Sequence, residues 1–131
     1  MDLRADHVGV VVRDLEATVG ILSSALGLKT IHQETLADRK LRVAFLELGT
    51  IQLELVECLD TEDRERRLGG AAARIEHLAL AVGDLDQALE DGRRRGLSVR
   101  LGPQFALGRR TAILDDTGTG GILIQLVENR R

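Results

Sequence analysis

Two histidines, a glutamate and a glutamine occur in this sequence at positions that could bind one divalent metal ion. His7 and His77 each open an apolar stretch, whereas Glu54 and Gln125 each lie between two apolar residues of a later stretch. Two imidazoles, one carboxylate and one amide oxygen suit zinc, cobalt, nickel, manganese or iron, and they leave positions open for a substrate. Taken singly, each histidine is better explained as a structural residue. The metal hypothesis therefore depends on their equivalent positions in a repeat.

The chain contains an internal repeat. The segment HVGVVVRDLEA, which begins at His7, matches HLALAVGDLDQA, which begins at His77, in the shared frame H-x-x-x-x-V-x-D-L. A second match joins LRVAFLELGTIQLELVE, which ends at Glu57, to RRTAILDDTGTGGILIQLVE, which ends at Glu128. Self-similarity of this kind indicates two equivalent structural modules.

The length of the chain limits it to one domain. With 131 residues it is too short for two ordinary independent domains. We predict a single domain over 1–131, with module one at 1–57, a linker at 58–74 and module two at 75–131. The dense mixed charge of the linker predicts a solvated helical turn and a hinge.

Each module is predicted to have the element order βαβββ. An apolar strand leads to Asp14 in module one and to Asp84 in module two, where a short carboxylate can cap a helix. Gly27 and Gly96 are predicted to end these helices. Further strands follow in each module. The predicted helices lie at 15–26 and 85–95, and the further strands near 29–34, 41–48, 51–57, 97–101, 110–115 and 122–128.

Strand alternation places small residues beside each histidine. Because alternate side chains of a strand point to opposite faces, His7 shares a face with Gly9, and His77 shares a face with Ala79. Small residues on that face predict a cavity lining, and the branched residues of the opposite face predict packing under a helix. Burying an ionised Glu54 in mid-strand is costly unless a cation compensates it. The predicted architecture is α+β, with two βαβββ modules forming a curved mixed sheet around a cavity.

Composition argues against several classes of partner. The net charge of -3 and the pI of about 5.6 provide no overall basic field for nucleic acid or an anionic membrane surface. Aromatic residues make up only 2% of the chain, so stacking platforms for bases are scarce. Cys58 is the only cysteine, and the N-terminus lacks the long apolar core of a signal peptide. We therefore predict a cytoplasmic protein that binds neither nucleic acid nor membranes.

The motifs resemble those of the vicinal oxygen chelate (glyoxalase/bleomycin resistance/dioxygenase) superfamily, and within it they are most similar to methylmalonyl-CoA epimerases. The segments that carry the resemblance are HVGVVVRDLEATVGILSSALGL, LRVAFLELG, IQLELVE, IEHLALAVGDL and GTGGILIQLVE. The resemblance implies a glyoxalase-like fold, one divalent metal ion bound by His7, Glu54, His77 and Gln125, a small-molecule substrate such as an acyl-CoA, and a homodimer.

The sequence departs from the epimerase pattern at several positions. Epimerases of this type usually carry glutamate at the position of Gln125, and some carry glutamine at the position of Glu54. The acid and the amide could thus have exchanged between equivalent positions, which would keep the charge of the ligand set unchanged. Some bacterial epimerases carry a catalytic glutamate where this chain has Val43. A usual Phe-Tyr pair is replaced by Ile21 and Leu22.

The resemblance implies an isomerase that removes an α-proton through a metal-stabilised enolate. The metal would bind two substrate oxygens and polarise a thioester carbonyl, and a nearby carboxylate would act as the base. Gln125 cannot titrate. Glu54 is the first candidate for the base and Glu47 the second, because Glu47 shares strand parity with Val43 and Phe45. An exposed charge at the end of a strand is the alternative explanation of Glu47.

Other functions of the same fold stay open at this point. A glyoxalase I-type lyase or an extradiol dioxygenase would use a metal at the same ligands for a different reaction. A non-catalytic metabolite- or drug-binding protein, similar to the bleomycin-resistance proteins, would use the architecture without this chemistry. Fold alone does not decide between these functions.

Three further features predict no chemistry. His32 has no counterpart in the repeat and is expected on the surface of an edge strand. Cys58 has no evident base partner and is expected to be an inert thiol. The segment TGTGG, from Thr117 to Gly121, precedes a strand rather than a helix and predicts a tight turn.

Overall fold

The computed structural model describes residues 1–129 and contains two successive βαβββ modules separated by a short helix. This order confirms the predicted α+β class. The elements are β1 (Arg4–Val12), α1 (Leu15–Leu26), β2 (Thr30–Leu36), β3 (Leu41–Leu48), β4 (Ile51–Cys58), α2 (Thr61–Leu68), β5 (Ala73–Val82), α3 (Leu85–Arg94), β6 (Val99–Ala106), β7 (Arg109–Leu114) and β8 (Ile124–Glu128). Among the described residues, no helix is both long and apolar enough to cross a membrane.

Four strands lie hydrogen-bonded side by side in each module. In module one the hydrogen-bonded order is β2-β3-β4-β1, and in module two it is β5-β8-β7-β6. In module two, the last strand β8 pairs in parallel with the first strand β5, and it pairs in antiparallel fashion with β7. This arrangement places the first strand of a module beside its last, although the two are far apart in sequence.

The chain divides into two compact units. The N-terminal unit is Val8–Glu76, and the C-terminal unit joins Met1–His7 to His77–Arg131. In the N-terminal unit, the valines on one face of β1 pack with α1 and with the central strands, as the alternation predicts. The buried members of this cluster are Val12, Leu15, Ala44, Leu46 and Leu55, with partly buried Val10, Val19, Leu22, Leu28 and Leu53 around them.

The C-terminal unit has an equivalent core under α3. Side chains on one face of β5 pack against the helix and against β7 and β8. The buried members are Val82, Leu85, Ala88, Ala112, Leu114 and Leu126, with partly buried Leu80, Leu89, Leu97 and Ile124 around them. The opposite face of β5 carries smaller buried residues, Ala79 and Ala81. The predicted division into a helix-covered face and a small-residue face is confirmed here.

Each main helix begins at the predicted aspartate. Asp14 Oδ1 accepts from the backbone N–H of Ala17 at 3.0 Å, and Asp84 Oδ1 accepts from that of Gln87 at 3.0 Å. Both carboxylates thereby satisfy a donor that an N-terminal helical turn leaves unpaired. Gly27 adopts the left-handed conformation at the end of α1, with φ of 71°. The α3 helix ends one residue earlier than predicted, and its left-handed Gly96 lies just beyond the cap.

A second carboxylate reaches each of these helix N-termini from the last strand of the same module. Glu57 Oε1 accepts from the backbone N–H of Leu15 at 3.0 Å, and Glu128 Oε2 accepts from that of Leu85 at 3.0 Å. The negative charge also faces the positive end of the helix dipole. These contacts give a structural role to the glutamate that closes the repeated L-V-E sequence.

The predicted linker contains a helix that is anchored on one side. In α2, Leu68 is almost fully buried and packs with Val11 and Cys58 of the N-terminal unit. The guanidinium of Arg67 donates to both carboxylate oxygens of Glu76, each at 2.7 Å. The predicted helical turn is therefore present, and its inner face contributes to the core.

The strand β6 begins two residues later than the strand predicted at 97–101 and ends five residues later. It is an edge strand, and its pairing with β7 is interrupted twice, between Val99 and Leu101 and between Leu101 and Gln104. Pro103 lies within it, which an edge strand tolerates because one side of its backbone needs no partner. Irregular pairing and an internal proline remove the alternation on which the prediction relied.

Candidate metal centre

His7 and His77 face each other in the C-terminal unit. Their Nε2 atoms are 3.4 Å apart, and the rings meet edge to face with centroids separated by 5.4 Å. His7 is buried and His77 is half-buried. Two nitrogen ligands bound to one tetrahedral ion at 2.0–2.1 Å lie about 3.4 Å from each other. The separation of the two Nε2 atoms thus equals that of two ligands of a single metal ion.

The other ring nitrogen of His7 is held by Asp6. Its Nδ1 lies 2.6 Å from Asp6 Oδ2, and Arg109 Nη1 donates to the same carboxylate at 2.9 Å. An ionised carboxylate can only accept, so the proton of a neutral His7 lies on Nδ1 and the lone pair on Nε2. Burial raises the pKa of the Asp6 carboxyl, but the hydrogen bonds from His7 and Arg109 outweigh it and bring the pKa below its ordinary value.

Sequence reasoning did not identify Asp6 or Arg109. Asp6 could have been noticed because it directly precedes a predicted ligand, and a carboxylate commonly supports a metal-binding histidine. Arg109 gives no such local signal, since it lies at the far end of the chain and reaches Asp6 only in the folded unit.

Gln125 lies on the same face of the C-terminal unit as His77. In the parallel pairing of β5 with β8, Gln125 is opposite Ala79, and Ala79 is two residues beyond His77. Residues opposite each other across a strand pair share a face, as do residues two apart in one strand. The register agrees with the predicted common face, while the role of Gln125 as a ligand stays a prediction.

A buried threonine hydroxyl lies on this same face and was not predicted. Thr111 is opposite Val127 in the pairing of β7 with β8, and the next residue on its face, Ile113, is opposite Gln125. Thr111 is 3% exposed, and its Oγ1 has no hydrogen-bond partner among the described residues. A buried polar group without a partner costs free energy unless a ligand or water satisfies it.

Glu54 and Glu47 share a face of the N-terminal unit. In the antiparallel pairing of β3 with β4, Glu54 is opposite Phe45, and Glu47 is opposite Gln52. Glu54 is only 7% exposed, whereas Glu47 is exposed near the end of its strand. The exposure of Glu47 agrees with the alternative explanation of a strand-end charge, and the catalytic role of either glutamate stays a prediction.

His32, Cys58 and the TGTGG segment, for which no chemistry was predicted, lie in surroundings that agree with structural roles. His32 is exposed on the edge strand β2, where it contacts Glu34 at 2.8 Å. Cys58 is fully buried, and burial raises the pKa of its thiol although Arg67 acts in the opposite direction. The TGTGG segment forms a short turn with Gly120 in the left-handed conformation.

Comparison with known proteins identifies related sequences over nearly the whole chain. An uncharacterised Bacillus subtilis protein, YqjC, is 31% identical over 129 residues, which cover 95% of this chain and 91% of that protein. The human mitochondrial methylmalonyl-CoA epimerase is 26% identical over an alignment that covers 94% of this chain and 72% of the enzyme.

Solved structures and a family model agree with these matches. The methylmalonyl-CoA epimerase from Mycobacterium tuberculosis superimposes with a TM-score of 0.86 at 28% identity, over 97% of this chain and 88% of that one. A methylmalonyl-CoA epimerase in complex with methylmalonyl-CoA and NH4+ gives a TM-score of 0.85 at 27% identity, over 96% and 94% of the two chains. The model of the glyoxalase/bleomycin resistance protein/dioxygenase superfamily matches residues 6–112. The chain therefore belongs to the glyoxalase/bleomycin resistance protein/dioxygenase superfamily.

Proposed function

We propose that this chain is a divalent-metal-dependent isomerase similar in activity to methylmalonyl-CoA epimerases. The observation that carries the proposal is the pair of opposed imidazoles, whose Nε2 atoms are 3.4 Å apart. Relatives named as methylmalonyl-CoA epimerases, in sequence and in structure, support the choice of reaction.

The proposed ligands are His7, Glu54 and His77, with Gln125 as the fourth. Both histidines present Nε2, and Asp6 holds His7 in the tautomer that leaves this nitrogen unprotonated. Glu54 is only 7% exposed and lies between Leu53 and Leu55, and a cation would compensate the burial of its charge. The donor set suits zinc, cobalt, nickel, manganese or iron. Such an ion, when bound, supplies a positive charge that polarises a carbonyl and stabilises negative charge on its oxygen.

The proton chemistry is assigned to the carboxylates of the N-terminal unit. Removal of an α-proton transfers it from carbon to a carboxylate oxygen, and epimerisation requires that a proton return to the opposite face of that carbon. We assign the first step to Glu54, because Gln125 cannot accept a proton. Glu47 is the second candidate, since it lies on the same face as Glu54 and is open to water.

The substrate and assembly belong to the same proposal. The substrate is taken to be an acyl-CoA, as the complex of a related epimerase with methylmalonyl-CoA suggests. The chain is proposed to act as a single domain over 1–131, as a homodimer, in the cytoplasm. The acidic balance and the scarcity of aromatic residues support the absence of nucleic-acid and membrane partners.

The first test is the metal content of the purified protein. Wild type, His7→Ala, His77→Ala and the exposed-histidine control His32→Ala would be exposed equally to cobalt and to zinc, and bound metal per chain measured by elemental analysis. We expect one ion per chain in the wild type and in His32→Ala, and loss of the ion in the other two variants. A wild-type protein without bound metal would refute the proposed mechanism.

The second test follows the α-proton. Methylmalonyl-CoA incubated with the cobalt-loaded protein in deuterated water should incorporate deuterium at the α-carbon. Glu54→Gln should abolish this exchange. If Glu54→Gln still exchanges the α-proton, loss of exchange in Glu47→Gln would identify Glu47 as the base. Oxygen uptake with iron would instead support a dioxygenase. Ligand binding with neither metal nor exchange would support a binding protein of the same fold.

A further inference from the structure

We propose that Asp6 and Arg109 form a positioning pair that fixes His7 in its metal-binding tautomer and thereby sets the metal affinity of the centre. The inference rests on the proposed metal site and deepens it, since neither residue is itself a proposed ligand. It is carried by a continuous set of contacts within the C-terminal unit, from the ring of His7 to the N-terminus of α3.

The first contact selects the tautomer of His7. Neighbouring residues in a strand point to opposite faces, so a bond between Asp6 and His7 does not follow from strand geometry. The carboxylate nevertheless lies 2.6 Å from Nδ1, with 7% of the His7 side chain and 21% of the Asp6 side chain exposed. Because the carboxylate only accepts, Nδ1 carries the proton and Nε2 presents its lone pair. A carboxylate in this position also raises the basicity of a ligating imidazole.

The second contact keeps Asp6 in place. Arg109 Nη1 lies 2.9 Å from the Asp6 carboxylate, and Arg109 Nε donates to the backbone carbonyl of Glu128 at 2.9 Å. Only 10% of the Arg109 side chain is exposed, so the guanidinium is fixed at both ends. The side chain of Glu128 in turn caps α3 through Leu85 N–H. Rotation of Asp6 away from His7 would therefore break its contact with Arg109, whose guanidinium is held in position by the carbonyl of Glu128.

A neighbouring ion pair provides a matched control. Arg110 follows Arg109 in β7 and donates to both carboxylate oxygens of Asp86, at 3.1 and 2.9 Å. This pair connects β7 to the first turn of α3, and the Asp86 side chain is 70% exposed. Asp86→Asn thus removes an Asp–Arg pair with similar nitrogen–oxygen distances, and an effect seen only in Asp6→Asn reflects the contact with the histidine.

The tautomer is measured directly in the metal-free protein. Long-range proton–nitrogen NMR spectra of the imidazoles distinguish a protonated from an unprotonated ring nitrogen. We expect His7 of the wild type and of Asp86→Asn to be protonated on Nδ1 alone. In Asp6→Asn the amide can accept from Nδ1–H or donate to a bare Nδ1, so a mixture of tautomers should appear. An unchanged Nδ1 tautomer in Asp6→Asn would overturn the inference.

Zinc affinity, measured by competition with a chelator, tests the consequence. Asp6→Asn and Arg109→Gln should each weaken binding about 10–100-fold without changing the stoichiometry, whereas Asp86→Asn should bind as the wild type does. Equal affinity in Asp6→Asn and the wild type would contradict the inference even if the metal site is real. A wild type that binds no zinc would refute the proposed function, and the NMR result would still decide whether the pair fixes the tautomer.

Discussion

The glutamates that close the two modules should contribute similar amounts to stability, because each satisfies the same helix donor. Glu57→Ala and Glu128→Ala remove the acceptors of Leu15 N–H and Leu85 N–H, both at 3.0 Å. The two side chains are 13% and 16% exposed, so water replaces them incompletely. A hydrogen bond to a charged group contributes about 1.5–3 kcal/mol, and the remaining aspartate cap reduces the loss. We expect each variant to lose about 1–2 kcal/mol.

Urea denaturation followed by circular dichroism measures this loss of unfolding free energy, and thermal unfolding should show a decrease in Tm of about 3–5 °C per kcal/mol. Glu57→Gln and Glu128→Gln keep an acceptor and remove the charge, so they should lose roughly half as much as the alanine variants. Glu16→Ala is the control, since Glu16 lies in the first turn of α1 with 80% of its side chain exposed. It should change stability by less than about 0.5 kcal/mol.

Two outcomes would refute the reasoning. If the alanine variants of Glu57 and Glu128 lose no more unfolding free energy than Glu16→Ala does, the buried contacts add no stability beyond that of the aspartate caps. A large loss of unfolding free energy in one of these two variants and none in the other would show that the two helix N-termini, although alike in structure, differ in energetics.

Two further predictions concern buried polar groups. Thr111→Val removes, at nearly constant volume, a buried hydroxyl that has no hydrogen-bond partner among residues 1–129, and should stabilise the protein by about 1–2 kcal/mol in urea denaturation. A loss of stability would show that the hydroxyl is satisfied. Cys58 is fully buried with a raised pKa, so its reaction with a thiol reagent should proceed only at the rate at which the protein opens. Stoichiometric labelling of the folded protein within minutes would contradict this.

Local features of the sequence were sufficient to predict most of the fold. The repeat gave the order βαβββ twice, and Asp14 and Asp84 marked the helix starts because capping acts over a single turn. Strand alternation correctly assigned faces to β5 and β8, since side-chain direction depends only on parity. The prediction was poorest at β6, where Pro103 and the interrupted pairing remove that alternation.

The sequence by itself therefore determined the modules, their helix caps and the chemical types of the proposed ligands. Only the tertiary structure decided that His7 and His77 present Nε2 to each other at 3.4 Å, and that Arg109 holds Asp6 against His7. It also decided that Glu57 and Glu128 reach the helix N-termini. These contacts join residues far apart along the chain, and periodicity and capping describe only neighbours within a few residues. Their geometry depends on how strands pair and helices pack, which local sequence signals do not specify.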